Sequence, residues 1–109
     1  MNDIPWRRPW RQLVSDAERL AIRRQLVWEI WARPLHPLWG KRTVAIGRRI
    51  DNDDVLVRLR NGSLACVHLG FDRRISFRVF ERFFPHTTLF ERDEDFIAQL
   101  LRDATEYDA

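Results

Sequence analysis

The chain has one cysteine, Cys66, one methionine, one tyrosine and, among nineteen basic residues, a single lysine, Lys41. A lone cysteine excludes an internal disulfide framework and a cysteine-built zinc site, and it points to a reducing, cytoplasmic setting. No run of about 18 apolar residues exists, so no segment reads as membrane-spanning and no membrane partner is expected. The opening MNDIPWRRPW has no apolar stretch of the kind a secretory signal needs. The four glycines, Gly40, Gly47, Gly62 and Gly70, are scattered, which excludes a glycine-rich phosphate loop.

Catalytic and metal-binding patterns are equally sparse. His36, His68 and His86 form no HExxH, no pair at helical spacing and no cluster with Cys66. Asp51, Asp53 and Asp54 resemble the start of a calcium loop, but no bidentate Glu follows at the twelfth position. Ser63 lacks the glycines of a nucleophile elbow. Cys66 would need a nearby base and an orienting group, and His68 stands two residues along the same strand. Both read as structural: Cys66 as a buried thiol, His68 as a buried histidine opposite Val55. No catalytic residue, metal site or cofactor is expected, and the chain reads as a non-enzyme.

With 109 residues, 45% hydrophobic and 32% charged, the sequence suits one folded domain over 1–109. Its net charge of +3 hides a polarity: residues 1–50 carry +7 and residues 51–109 carry −4. Such a molecule can steer a partner of either sign.

Along the chain, residues 1–14 form a Trp/Arg-rich arm in which Pro5 and Pro9 disfavour helix. Ser15 with Glu18 is a capping-box pattern that opens a helix to about Arg33. On that helix Glu18, Gln25, Glu29 and Arg33 trace a solvent stripe, and the apolar arc around it is wider than one sheet face requires. Pro34 stops the helix, and Gly40 is free to take positive φ in the turn that follows, where His36 reads as a turn-locking hydrogen-bonder. Alternation then marks strands over Thr43–Ile50, Val55–Arg60 and Ser63–Leu69, with Asn61-Gly62 as a two-residue hairpin signal. That loop would set Leu59 opposite Leu64, Val57 opposite Cys66 and Val55 opposite His68. A fourth strand is plausible at Ile75–Val79. Asp93-Glu94-Asp95 begins an amphipathic C-terminal helix that buries Phe96, Ile97, Leu100, Leu101 and Ala104. The expected fold is α+β: an N-terminal helix, a three- to four-stranded antiparallel sheet and a C-terminal helix, with both helices in one layer.

His36-Pro37-Leu38-x-Gly40, Asp53-Asp54-Val55-Leu56 and Ala65-x-Val67-His68-Leu69 carry a resemblance to a group of small bacterial proteins with an HPLxG / DDVL / AxVHL core. Pro85-x-Thr87 and the acidic stretch Asp93–Asp103 extend it, so that it covers about residues 36–107. Gly70-Phe71 stands where that group has Thr-Trp. The resemblance implies an immunity protein or inhibitor of a bacterial toxin, with a toxin, effector or defence complex as partner, rather than an enzyme.

Interfaces are enriched in Trp and Arg. The expected partner-binding residues are therefore Trp6, Arg7, Arg8, Trp10, Arg11, Arg23, Arg24, Trp28 and Trp31. The alternative is a nucleic-acid-binding module that uses Arg7, Arg8, Arg11, Arg23, Arg24, Arg48 and Arg49 on phosphates.

Overall fold

Val55, Leu56 and Val57 are apolar at three consecutive positions, so a strand here must be covered on both faces. The computed structural model, which describes residues 4–31, 34, 36–69 and 87–109, supplies that cover. In chain order the elements are β1 (Trp10–Gln12), α1 (Asp16–Ile30), β2 (Thr43–Arg49), β3 (Asp54–Leu59), β4 (Leu64–His68), β5 (Thr87–Phe90) and α2 (Asp93–Asp108). The five strands form one antiparallel meander in the order β1-β2-β3-β4-β5. The expected α+β fold is present, with β1 and β5 in addition to the three strands read from alternation. The strand expected at Ile75–Val79 and the loop histidine His86 lie outside the described residues. No described helix is long and apolar enough to cross a membrane.

Two cores separate the layers. Ala45, Val55, Val57, Leu59, Ala65 and Val67 pack with Leu13, Leu38 and Leu69 against Ile22, Leu26 and Ile30 of α1. The alternate positions Leu56 and Leu64, with Trp10, pack against Phe96 and Leu100 of α2. The helices therefore lie on opposite faces of the sheet, not in the single layer expected from the element order. The reason is local: the central strands are apolar on both sides, and one helical layer would leave Leu56 and Leu64 in water.

The hairpin register differs from the expected one by a single residue. Val55 pairs with Val67, Leu56 with Cys66, Val57 with Ala65 and Arg58 with Leu64. The connection has three residues, 60–62, closed by Leu59 N–H to Ser63 O at 2.8 Å and Gly62 N–H to Leu59 O at 2.9 Å. Gly62 takes φ +91, the left-handed position that such loops give to glycine. A one-residue slip turns a whole strand over. Leu64, Cys66 and His68 consequently face α2 with Leu56, not α1 with Val55 and Val57.

Side-chain ties fix the remaining joints. Ser15 Oγ accepts the Glu18 N–H at 3.3 Å and caps α1. Arg58 reaches both carboxylate oxygens of Asp93, at 3.0 and 3.1 Å, and so anchors the first turn of α2 to β3. His36 is buried: its Nδ1 accepts the Leu38 N–H at 3.0 Å, and its Nε2 donates to Thr87 Oγ1 at 3.1 Å. The turn-locking role expected of His36 is present, and the ring also ties that turn to β5. Gly40 takes φ +71, as expected.

The N-terminal arm docks on the α2 face. The Trp6 ring covers the backbone of Gly47, and a Cβ at that position would overlap it. Gly47→Ala should therefore destabilise the fold by about 1–3 kcal/mol through overpacking. Combining it with Trp6→Ala should recover most of that loss. A thermal-denaturation double-mutant cycle measures the coupling, and additive effects would show that the arm does not rest on Gly47.

Candidate functional site

A helix advances 100° per residue, so the exposed Leu20, Arg24, Val27, Trp28 and Trp31 of α1 fall within an arc of about 100°. The buried Ile22, Leu26, Glu29 and Ile30 occupy an arc almost opposite. The helix is thus turned the other way from the expected solvent stripe. Glu29 is buried and accepts from Gln25 Nε2 at 2.8 Å, while Glu18 faces Arg11 of β1 and Arg48 of β2. The polar stripe points back toward the protein, and an apolar stripe points outward. Trp28 is 52% exposed, Trp31 63% and Val27 57%.

Beside this stripe lies a groove of about 310 Å³, walled by Leu26, Val27, Ile30 and Trp31 on one side and by Leu38, Trp39 and Gly40 on the other. Trp39, itself 48% exposed, donates its indole N–H to the Trp31 backbone carbonyl at 3.1 Å, which ties the 36–40 turn to the C-terminal end of α1. A second recess of about 380 Å³ continues from Gly40 and Lys41 to Arg42, Leu59, Arg60 and Asn61. Among the described residues no Asp or Glu lines either hollow.

The nine residues expected to bind a partner do not converge. Arg23, Arg24, Trp28 and Trp31 are exposed together on α1. Trp6 and Trp10 belong to the opposite core, with Trp10 edge-on to Phe96 at 5.2 Å. Trp10 is 2% exposed and donates its indole N–H to the buried Asp103 carboxylate at 2.9 Å, so it is a core residue and not a contact for a partner. Arg11 is spent on a bidentate pair with Glu18. Arg7 and Arg8 remain exposed on the arm. Of the seven arginines of the nucleic-acid alternative, Arg11, Arg48 and Arg49 are held by carboxylates: Glu18 for the first two, Asp51 and Asp103 for Arg49.

Val27, Leu38, Trp39 and Lys41 complete the surface without having been singled out as contacts. The signal was present in Leu38-Trp39-Gly40-Lys41, a tight turn in which Leu38 enters the core and the neighbouring Trp39 is left at the surface.

The groups with latent chemistry are quiet. His68 is exposed rather than buried, with Nδ1 2.6 Å from Asp54 Oδ1. Burial pushes the Cys66 thiol up to about 12, with the Asp54 and Asp103 carboxylates adding to it, so the sulfur stays protonated at neutral pH. Among the described residues no group of three His, Cys, Asp or Glu side chains could hold a metal ion.

No protein-family model matches the chain, and no curated protein and no solved structure is similar enough to count as a match. The functional reading rests on the residues themselves.

Two stability predictions separate the arm's core from the outward face. Trp10→Phe should cost about 1–3 kcal/mol, because the buried Asp103 loses a donor. Trp28→Ser should stay within about 0.5 kcal/mol of the parent, as an exposed change does. Urea denaturation of both variants checks this, and a reversed order would place Trp28 in the core.

The Arg11 hydrogen bonds hold the Glu18 carboxyl below its ordinary value of 4.5. A depressed carboxylate contributes stability above that ordinary value and loses it as pH falls through the lower folded value. Acid denaturation below pH 4.5 should therefore be shallower in Glu18→Gln than in the parent.

Proposed function

We propose that this protein is a small non-catalytic binding domain, acting as an immunity protein or inhibitor of a bacterial toxin or defence machine by occupying its surface. The observation that carries this reading is the outward face of α1. Its solvent side presents Leu20, Val27, Trp28 and Trp31 beside Arg23 and Arg24, while a glutamate is turned inward. An exposed apolar stripe rimmed by polar residues is the kind of surface that a partner covers. Tryptophan covers a large rigid area at low entropic cost, which makes it a strong interface anchor.

The resemblance to small bacterial HPLxG / DDVL / AxVHL proteins supports the same reading. His36 to Gly40, its first motif, builds one wall of the groove. His36 also joins Thr87, so two separate pieces of the pattern meet in one hydrogen bond. The remaining pieces, Asp54–Leu56 and Ala65–His68, are paired central strands.

Parent and Trp28→Ser/Trp31→Ser chains, used as matched baits in nuclease-treated extract of the native host, test the proposal. The expected result is a protein retained in near-equal amount by the parent and lost by the variant, with the two baits sharing one melting temperature. Equal retention by both baits, or capture that disappears with nuclease, would overturn it.

A further inference from the structure

The geometry points to an acidic amphipathic segment of a protein as the occupant of the α1 groove: apolar side chains seated between Trp31 and Trp39, carboxylates on Lys41, Arg42 and Arg60. This inference rests on the protein-binding reading and names the chemistry of the partner.

Four features carry it. The first is size. Cavities that enclose a small ligand run from about 300 to 1,000 Å³. The groove, at about 310 Å³ and open along α1, suits one or two inserted side chains of a docked segment. Its walls are Leu26, Val27, Ile30, Leu38 and the two indoles, which favour an aliphatic or aromatic anchor.

The second is charge. Arg23, Arg24, Lys41, Arg42 and Arg60 are exposed, and their side chains make no ion pair or hydrogen bond among the described residues. Arg23 lies one turn before Val27 on the same flank of α1. By contrast Arg11, Arg19, Arg48, Arg49, Arg58 and Arg92 all have carboxylate partners. Among the described residues the cations without a carboxylate partner are thus concentrated around the groove, apart from Arg7 and Arg8 on the arm and Arg102 on α2, which bonds Gln99.

The third is placement. Thr43 pairs with Leu59, so the antiparallel register carries Arg42 and Arg60 toward each other just beyond the last strand pair. Like charges across a strand pair repel unless an anion lies between them. Both line the second recess together with Lys41, and that recess opens from the groove at Gly40.

The fourth is the contrast with nucleic acid. A phosphate backbone is tracked by a row of cations with flat stacking rings between them. Here the indoles flank an apolar hollow and the cations gather at one end of it, an arrangement suited to a helix or strand with an apolar stripe and an acidic edge.

Two tryptophan-free peptides of about sixteen residues, with leucines at i, i+4 and i+7 and either Glu or Gln on the flanking positions, test the inference by calorimetry and by NMR of the indole N–H signals. At about 50 mM salt the Glu peptide should bind about tenfold tighter than the Gln peptide, since three rim pairs of modest strength together approach one decade. The indole signals of Trp31 and Trp39 should shift. At about 500 mM salt the preference should vanish. Lys41→Glu/Arg42→Glu/Arg60→Glu should abolish the preference while keeping the Gln-peptide affinity, and Lys41→Glu alone should reduce it if the triple change disturbs folding. Equal affinity for the two peptides, tighter binding of a single-stranded oligonucleotide, or a peptide-free dimer by sedimentation would each overturn the inference. A host partner lost with Trp28→Ser/Trp31→Ser but retained by the triple variant leaves the binding reading intact and refutes its acidic chemistry. Retention by both variants removes the two together.

Discussion

The central hairpin is apolar on both faces, and the rest of the architecture answers that constraint. Val55, Val57, Ala65 and Val67 on one side and Leu56 and Leu64 on the other are all buried. The two described helices are spent one on each face. Only the three-residue 60–62 connection, with Gly62 at positive φ, puts Leu64 beneath α2 while keeping Ala65 and Val67 beneath α1. A loop one residue shorter would invert β4 and exchange Leu64 with Ala65 and Val67 between the two cores.

Once the helices are separated, polar groups decide how each is turned. On the α2 side, Asp103 is buried and receives Trp10 Nε1 at 2.9 Å and Gln99 Nε2 at 2.8 Å, with Arg49 Nη1 at 3.3 Å. One carboxylate therefore joins the arm, β2 and α2. A buried charge is tolerated only with such partners, and it specifies a single arrangement of the elements around it. On the α1 side, Glu18 answers Arg11 and Arg48, and Glu29 answers Gln25. Those contacts pull the polar flank of α1 inward and leave Trp28 and Trp31 outward. The surface available to a partner is thus a consequence of ion pairing at the β1–β2 edge.

Among the described residues this arrangement gives two groups of cations different work. Those near β1, β2 and β3 hold the layers together: Arg11, Arg48, Arg49 and Arg58 each reach a carboxylate on another element or turn. Those around the groove stay solvated. The tryptophans divide in the same way, with Trp10 in the core and Trp28, Trp31 and Trp39 at the surface. A residue type that looks uniform along the chain therefore serves packing on one face and an open surface on the other.

Local chemistry was legible without coordinates wherever it depends on neighbours in sequence. Ser15 with Glu18 announces the start of α1, Asp93-Glu94-Asp95 the start of α2, Gly40 and Gly62 their turns, and His36 its hydrogen bond to Leu38. The positions of β2, β3 and β4 followed from the apolar pattern for the same reason, whereas β1 and β5, short strands that pair only at the sheet's edges, did not. Tertiary structure alone decided three things. The hairpin register turned on one loop residue, which no periodicity reveals. The burial of Trp10 and the exposure of Trp28 depended on Asp103 and Glu18 finding partners 93 and seven residues away. And the groove exists only because the 36–40 turn, tied to Thr87 by His36, closes against the last turns of α1. Sequence determines which side chains are available at each position; which of them face water is set by long-range pairing, because α1 carries apolar residues on two flanks, Ile22, Leu26 and Ile30 on one and Leu20, Val27 and Trp28 on the other, and either can be buried at similar hydrophobic gain.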